Sequence, residues 1–225
     1  MAGKEQVKDT RRQQESILAP LEKRALLWLA ARMPSRVNSD HLTLLGMIAM
    51  FLAGFSYYLS RWNPLYLHMV SFWLVVNWFG DSLDGTLARY RNRLRPKYGY
   101  YVDHVADMFG HMFLLGGLAL SGYMTESIAI GLLILFYMLS INAYLATYSV
   151  GIFQMSYWLF GPTELRVLLI IGNFALLYRP RVDLFGGNYL LYDVGGLIGM
   201  IGMALILLIS IIKNTVTLYN RERLD

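Results

Sequence analysis

The sequence contains no cysteine and few charged residues. Among its 225 residues there is no cysteine, and Asp, Glu, Lys and Arg together make up only 16%. The absence of cysteine excludes a disulfide framework, a thiol nucleophile and a cysteine-ligated metal site. The charged share lies well below the roughly 25% of soluble domains, whereas hydrophobic residues reach 56%. This composition excludes a disordered or collagen-like chain and favours a protein embedded in a membrane.

We also expect no cleavable signal peptide, since the first 16 residues are polar and lack an apolar core. Further along, six segments have about the 20 mostly apolar residues that one bilayer crossing needs. They cover approximately residues 42–59, 64–79, 99–120, 127–148, 163–178 and 189–212. The sequence therefore predicts an all-α membrane protein with six transmembrane helices.

The segment before the first span has a different apolar pattern. Six apolar residues recur there at helical spacing on one face, namely Ile17, Leu18, Leu21, Ala25, Trp28 and Leu29. Charged residues accompany them, among them Glu22 and Arg32. The pattern predicts an amphipathic helix that lies in the membrane interface, or else a helix packed on the cytosolic side of the protein.

Lys and Arg are distributed unevenly among the loops. Segment 1–41 carries eight, the loop between the second and third spans carries five and the C-terminal tail carries three, against three in the opposite loops. Because positive residues are enriched in cytoplasmic loops, both termini are predicted to be cytoplasmic. The net charge of +5 also suits contact with anionic membrane lipids.

Four aspartates lie near the predicted cytoplasmic rim of the second and third spans. Asp81 and Asp84 are three residues apart and Asp103 and Asp107 are four apart, so each pair lies on one face of its helix. Carboxylates inside spans are costly and are therefore candidates for function. Two divalent cations would compensate these four, and ligation by oxygen alone favours Mg²⁺ or Mn²⁺. Such a pair of ions could clamp a pyrophosphate.

Other interpretations stay open from the residues alone. Arg89 or Arg91 could pair with one or two of the aspartates, which would leave them a structural role. Membrane carboxylates also relay protons in ion-coupled transporters, although such sites usually lie near the membrane midplane. A cation transporter or a membrane scaffold is therefore the remote alternative to an enzyme. We expect no nucleic-acid partner.

The two aspartate pairs belong to a longer motif. Residues 81–89 read DSLDGTLAR and residues 99–107 read GYYVDHVAD. Together they resemble the signature of the CDP-alcohol phosphotransferase family, which is D-x2-D-G-x2-A-R, a spacer, and G-x3-D-x3-D. The spacer between Arg89 and Gly99 holds nine residues here, which is longer than is usual for the signature. Before the first span, Leu42 and Thr43 match the end of the family's P-N-x-L-T element, whose Pro and Asn are replaced.

The resemblance implies an integral membrane enzyme of phospholipid synthesis. Such an enzyme passes a phospho-alcohol group from a CDP-linked donor to a hydroxyl and releases CMP. The implied metal ligands are Asp81, Asp84, Asp103 and Asp107, and Asp107 is also the implied general base. The implied nucleotide-binding residues are Asp84, Gly85, Ala88, Arg89 and Gly99.

Two shorter matches resemble the choline and ethanolamine phosphotransferase branch of the family. His104 produces the form D-H-x2-D, and residues 161–164 read GPTE. In that branch the histidine and the glutamate are implicated in activating the acceptor, which implies catalytic roles for His104 and Glu164 beside Asp107. The acceptor would then be diacylglycerol. The alternative is a CDP-diacylglycerol donor with a small polar alcohol as acceptor.

These expectations divide the chain into three parts. Residues 1–41 form a cytoplasmic segment with the interfacial helix, residues 42–212 form the six-span catalytic membrane domain, and residues 213–225 form a cytoplasmic tail. The resemblance also implies a homodimer. Four glycines in the sixth span offer a small-residue surface for close helix contact, either between copies or within one chain. They are Gly195, Gly196, Gly199 and Gly202.

Overall fold

The computed structural model describes residues 19–150 and 161–223. Its helices are α1 (Ala19–Arg32), α2 (Ser39–Ser60), α3 (Tyr66–Tyr90), α4 (Pro96–Ser121), α5 (Glu126–Val150), α6 (Pro162–Tyr178) and α7 (Leu191–Arg221). Two short antiparallel strands, β1 (Arg181–Leu184) and β2 (Gly187–Leu190), form a hairpin between α6 and α7. Apart from this hairpin, the expected all-α membrane fold is confirmed.

The helices α2 to α7 coincide one by one with the six apolar segments of the sequence. Within the described residues, three of them are long and apolar enough to cross a membrane by length and composition, namely α2, α5 and α7. The other three helices do not meet both of these requirements, for different reasons. Helix α6 has only 17 residues, while α3 and α4 carry the aspartates and several other polar residues.

Two predicted boundaries are wrong. The second span was expected to begin at residue 64, but residues 64–65 form a turn and α3 begins at Tyr66. The sixth span was expected from residue 189, where β2 is found instead. The hairpin turns at Phe185 and Gly186, both with positive φ (49° and 81°), as a two-residue hairpin loop requires. Phenylalanine is rare in that conformation, and the Gly186-Gly187 pair was the turn signal that the sequence offered.

Helix α1 packs on the protein mainly through residues beside the apolar face that was predicted to lie in the membrane interface. Leu26 and Ala30 are buried against α2 and α3, whereas Leu21 and Trp28 of the predicted apolar face are exposed. The first two residues of that face, 17 and 18, lie outside the described residues. Helix α1 therefore presents one apolar face to the protein and a second one outward.

Helix α2 packs closely against both α3 and α4 because glycines line the crossings. A Cβ atom on Gly80 of α3 would lie 2.6 Å from the carbonyl oxygen of Leu42. A Cβ atom on Gly117 of α4 would collide with the carbonyl of Gly54. Only glycine allows this approach of one backbone to another, so these crossings fix the positions of α3 and α4 on α2.

A buried polar network joins four helices away from the aspartates. The hydroxyls of Tyr57 in α2 and Tyr192 in α7 each donate a 2.7 Å hydrogen bond to Oδ1 of Asn173 in α6. Nδ2 of Asn173 donates to Oγ of Ser71 in α3 at 3.3 Å. Helix α6 is thereby anchored near its middle.

The glycines of the predicted small-residue surface divide into two groups. A Cβ atom on Gly196 would lie 2.7 Å from Ile128 of α5, and one on Gly199 would contact Leu132 of the same helix. Gly195 and Gly202 have no neighbouring atom within 4 Å of such a Cβ. Half of this surface is thus used for packing within the chain.

Candidate active site

The four aspartates lie inside their helices rather than at the ends. Helix α3 continues to Tyr90, about two turns beyond Asp84. Helix α4 begins at Pro96, so Asp103 and Asp107 follow its first residue by about two and three turns. Because α4 begins three residues before the apolar segment, both aspartates lie about one turn deeper in their helix than the start of that segment indicates.

The structure brings the two aspartate pairs together. Asp107 lies close enough to Asp81, Asp84 and Asp103 to interact with them electrostatically, and Asp84 interacts in the same way with Asp81 and Asp103. We refer to these four residues as the carboxylate cluster. Its members come from two helices that both pack on α2, so the glycine crossings determine how near the pairs approach.

Arg166 of α6 also faces the carboxylate cluster. Its Nη2 lies 2.5 Å from Oδ2 of Asp81, and its Nε donates a 2.8 Å hydrogen bond to Oδ1 of Asn77. Asn77 is itself buried and donates to the carbonyl oxygen of Gly46 at 3.0 Å. The sequence analysis missed Arg166. A signal existed, since a charged residue within an otherwise apolar helix is costly unless it is paired.

Thr43 is a second residue that the sequence analysis did not assign. Its hydroxyl donates a 2.6 Å hydrogen bond to Oδ2 of Asp84, and the backbone N–H of Gly85 donates to Oδ1 of the same carboxylate. Asp84 is buried and is therefore held in one orientation by α2 and by its own helix. The match of Thr43 to the P-N-x-L-T element was the available signal.

The cluster fits divalent cations by the chemistry of its donors. Its members offer only carboxylate oxygens, which bind hard cations such as Mg²⁺ and Mn²⁺. Arg166 brings one positive charge to Asp81, and divalent cations would help to balance a site with four carboxylates. In the part of the chain that the structure describes, no three Asp, Glu or His side chains converge as they would around a single ion. Asp81 is turned to Arg166, and Asp84 is turned to Thr43.

The arginines after α3 have other partners. Arg91 donates to the carbonyl oxygens of Met33, Pro34 and Val37, which close the connection between α1 and α2. Arg95 forms an ion pair with Asp40. The interpretation in which Arg91 neutralises an aspartate of the cluster is therefore wrong, because its guanidinium is directed at backbone carbonyls.

The predicted nucleotide residues lie at one end of the molecule. Ala88 and the exposed Arg89 lie in the last turn of α3, and Nη2 of Arg89 donates to Oγ1 of Thr86 at 3.3 Å. A Cβ atom on Gly85 would lie 3.6 Å from Nη1 of Arg89, and a Cβ on Gly99 would meet nothing within 4 Å. The nine-residue spacer between Arg89 and Gly99 leaves only a short connection between the helices, because its last three residues, 96–98, already belong to α4.

The His104 ring contacts two tyrosine rings, one tilted and one edge-on. Its ring centroid lies 4.1 Å from that of Tyr100 and 4.9 Å from that of Tyr144 in α5. Its Nδ1 lies 2.5 Å from the carbonyl oxygen of Tyr100. Because a carbonyl oxygen can only accept, Nδ1 carries the hydrogen, and Nε2 is the basic nitrogen of the neutral ring.

Glu164 is buried in the first turn of α6. Its Oε2 accepts a 2.9 Å hydrogen bond from the backbone N–H of Gly161, three residues earlier. This contact satisfies a backbone donor at the start of the helix, as the acidic member of a capping box does. Glu164 therefore has a structural contact in addition to the catalytic role that the resemblance implies.

One comparison with known proteins gives a match. The family model described as CDP-alcohol phosphatidyltransferase matches residues 36–212. This range contains the carboxylate cluster together with Thr43, His104, Glu164 and Arg166. No curated protein matches the sequence.

Proposed function

The chain belongs to the CDP-alcohol phosphatidyltransferase family, and we propose that it transfers a phospho-alcohol group from a CDP-linked donor to diacylglycerol, with release of CMP. Members of this family are transferases of phosphate-containing groups that use a CDP-alcohol donor and an alcohol acceptor in membranes. They generally depend on a divalent metal. The chain is accordingly an integral membrane transferase of phospholipid synthesis.

The observation that carries the proposal is the approach of the two aspartate pairs. The signature residues of α3 and α4 are separated in sequence, yet their carboxylates lie within electrostatic range of one another. A purely structural role would not need four acids at one site, because each adds a desolvation cost. A site for cations and a pyrophosphate accounts for all four.

We assign Asp81, Asp84, Asp103 and Asp107 to two Mg²⁺ or Mn²⁺ ions. Bound there, the ions would neutralise the charge that develops on the bridging oxygen of the donor pyrophosphate. Thr43 orients Asp84 for this purpose. We assign the nucleotide to the face of α3 and the start of α4 formed by Asp84, Gly85, Ala88, Arg89 and Gly99. Gly85 leaves space beside the Arg89 guanidinium, which is suited to phosphate oxygens.

A base must remove the proton of the acceptor hydroxyl as its oxygen attacks the phosphorus and CMP leaves. Asp107 and His104 are the candidates. His104 supports this role by its tautomer, since Nδ1–H donates to Tyr100 and the basic Nε2 can receive a proton. Asp107, the other candidate, lies beside the three other carboxylates of the cluster. We propose that Glu164 holds the first turn of α6 in place. This turn would then position the acceptor side of the site.

The D-H-x2-D and GPTE matches favour diacylglycerol as acceptor over the alternative. In that alternative, CDP-diacylglycerol is the donor and a small polar alcohol is the acceptor. The two directions use the same cluster and both release CMP, so they differ only in which substrate carries the acyl chains.

We propose six membrane crossings, formed by α2 to α7, within the domain of residues 42–212. Arg91 at the end of α3 donates to Val37 after α1, and Thr163 at the start of α6 donates to Glu22 in α1. These hydrogen bonds place α1, the end of α3 and the start of α6 at one end of the molecule. With the asymmetry of Lys and Arg, this supports a cytoplasmic position for the active site, for segment 1–41 and for tail 213–225. The exposed Leu21 and Trp28 support an interfacial position of α1.

We also propose a homodimer. Gly195 and Gly202, which do not pack against another helix of the same chain, are the small residues available for contact with a second copy.

The test is CMP release by the purified protein in lipid nanodiscs with Mg²⁺. A panel of CDP-alcohols is crossed with diacylglycerol and with water-soluble alcohols, and CDP-diacylglycerol is included as donor. We expect CMP only when a CDP-alcohol and diacylglycerol are both present. Asp103→Asn should abolish it, whereas Asp183→Asn in the hairpin is the matched control. CMP release that survives Asp81→Asn/Asp103→Asn would disprove the assignment of the cluster.

A further inference from the structure

One carboxylate of α1 links the two helices that meet at Asp81. Oε1 of Glu22 accepts a hydrogen bond from Nε1 of Trp78 in α3 and another from Oγ1 of Thr163 in α6, each 2.8 Å long. Glu22 is half-buried. Its carboxylate is therefore part of a three-helix junction rather than of the solvated face of an amphipathic helix.

Both donors lie one turn from the residues that join α3 and α6 directly. Trp78 precedes Asp81 by three residues, and Thr163 precedes Arg166 by three. That spacing keeps each pair on one side of its helix. Two polar links thus connect α3 with α6 beside the carboxylate cluster, a direct one through Arg166 and an indirect one through Glu22.

Polar contacts with other helices hold both the middle and the start of α6. Asn173, about two turns beyond Arg166, anchors the middle of the helix. Nearer its start, Thr163 donates to Glu22, and Arg166 donates to Asn77 and Asp81. A shift of the first turn of α6 would therefore move Arg166 relative to Asp81.

We propose that Glu22 is a positioning residue of the transferase. By holding Trp78 and Thr163 on one oxygen, it fixes the first turn of α6 against α3 and so sets Arg166 beside Asp81. This role rests on the proposed function of the carboxylate cluster. It gives the N-terminal helix a part in catalysis, without any contact between Glu22 and the substrates.

The chemistry of the junction requires an acceptor oxygen rather than a charge. The indole N–H and the threonine hydroxyl are neutral donors, and the amide oxygen of a glutamine could accept from both. Glu22→Gln should consequently keep the junction, whereas Glu22→Ala leaves two donors without their acceptor.

The first test measures CMP release by the full-length protein. We expect Glu22→Ala to lower kcat by about 10- to 100-fold, the scale on which misplaced catalytic groups act, with a smaller effect on KM. Glu22→Gln should stay close to the wild type. Thr163→Val should resemble Glu22→Ala, and the double variant should be no worse than either. Leu26→Ala, which removes apolar packing of the same helix, should lower the unfolding temperature but keep kcat.

The second test does not depend on activity. Because the chain has no cysteine, nitroxide labels can be attached at single cysteines that replace the exposed Lys23 in α1 and Leu165 in α6. The distance between them should be narrowly distributed in the wild type and in Glu22→Gln, and broadened in Glu22→Ala and in Thr163→Val. If Glu22→Ala does not fold, Thr163→Val carries both tests.

Two outcomes would overturn the inference. One is an unchanged rate and an unchanged distance in Glu22→Ala and Thr163→Val. The other is a Glu22→Gln variant as impaired as Glu22→Ala, which would make the charge decisive. Absence of CMP release from the wild type would instead disprove the proposed function, and the distance measurement would still decide whether Glu22 holds α6.

Discussion

The hydroxyl of Thr43 donates a 2.6 Å hydrogen bond to the carboxylate of Asp84, although the two residues are 41 positions apart. The bond joins α2 to α3 at the carboxylate cluster. It directs one oxygen of a proposed metal ligand, and outer partners of this kind orient the ligands that they contact. Thr43 belongs to the first element of the family match, so that element and the aspartate motif form one site.

We predict that Thr43→Val weakens the Mg²⁺ dependence of CMP release. The apparent affinity for the metal should fall by about 10- to 100-fold, because Asp84 loses the donor that orients it. Thr43→Ser retains the hydroxyl and is the matched control. Titration of activity with Mg²⁺ measures the effect, and equal curves for the Val and Ser variants would contradict it.

A second prediction separates the two candidate bases. His104→Ala should lower kcat by about 10²-fold, the usual scale for loss of a general base, while the donor KM changes little. His68→Ala, on α3 and packed against Phe174, is the histidine control. Steady-state measurement of CMP release provides kcat and the donor KM. The opposite result would be a full rate in His104→Ala and a lost rate in Asp107→Asn with metal still bound. Asp107 would then be the base, and the result would favour the alternative in which CDP-diacylglycerol is the donor.

A third prediction concerns the pair formed by Arg166 and Asp81. Arg166→Met removes the cation from a carboxylate that is mostly shielded, since the two side chains are 13% and 26% exposed. Loss of one partner of a fully buried pair costs about 3–5 kcal/mol, so we expect about 1–3 kcal/mol for this partly exposed one. Unfolding in detergent with increasing denaturant would measure it.

The double variant Asp81→Asn/Arg166→Met supplies the control for this pair. It leaves neither charge without its partner, so its stability should recover towards that of the wild type. Strict additivity of the two single changes would show that the ion pair contributes no coupling energy.

A fourth prediction concerns the orientation in the membrane. A single cysteine replacing Lys23 in α1 should be protected from an impermeant thiol reagent outside intact cells, because α1 lies at the end with the excess of Lys and Arg. A cysteine replacing the fully exposed Phe185 in the hairpin should react. The opposite pattern would place the active site on the outer side.

The helices could be read from the sequence because apolar length determines them. Each apolar segment became one helix, and errors arose where polar residues extend a helix or where an apolar segment runs into a turn or a strand. Helix α3 runs on through its aspartates to Tyr90 since nothing in DSLDGTLAR breaks a helix. The hairpin was not predicted because it turns at Phe185, and phenylalanine rarely adopts a positive φ.

The sequence allowed the aspartate pairs to be named but not their connections to other helices. Spacing along one helix indicates which aspartates share a face, so the two pairs could be named. Contacts between distant segments have no such periodicity, and this is why Thr43, Arg166 and Glu22 were not assigned. The burial of Leu26 in α1 was not predicted for the same reason, since it depends on where α3 lies.

The order of the chain has a consequence for how this protein is made. All four carboxylates and both glycine crossings of α2 lie before residue 122, whereas Arg166 lies in α6. During synthesis from the N-terminus, the aspartates of α3 and α4 are therefore complete before the guanidinium that faces Asp81 exists. Insertion of the first half must then proceed with Asp81 matched by a proton, by water or by an ion from the surroundings. Emergence of α6 then adds the Arg166 guanidinium beside it.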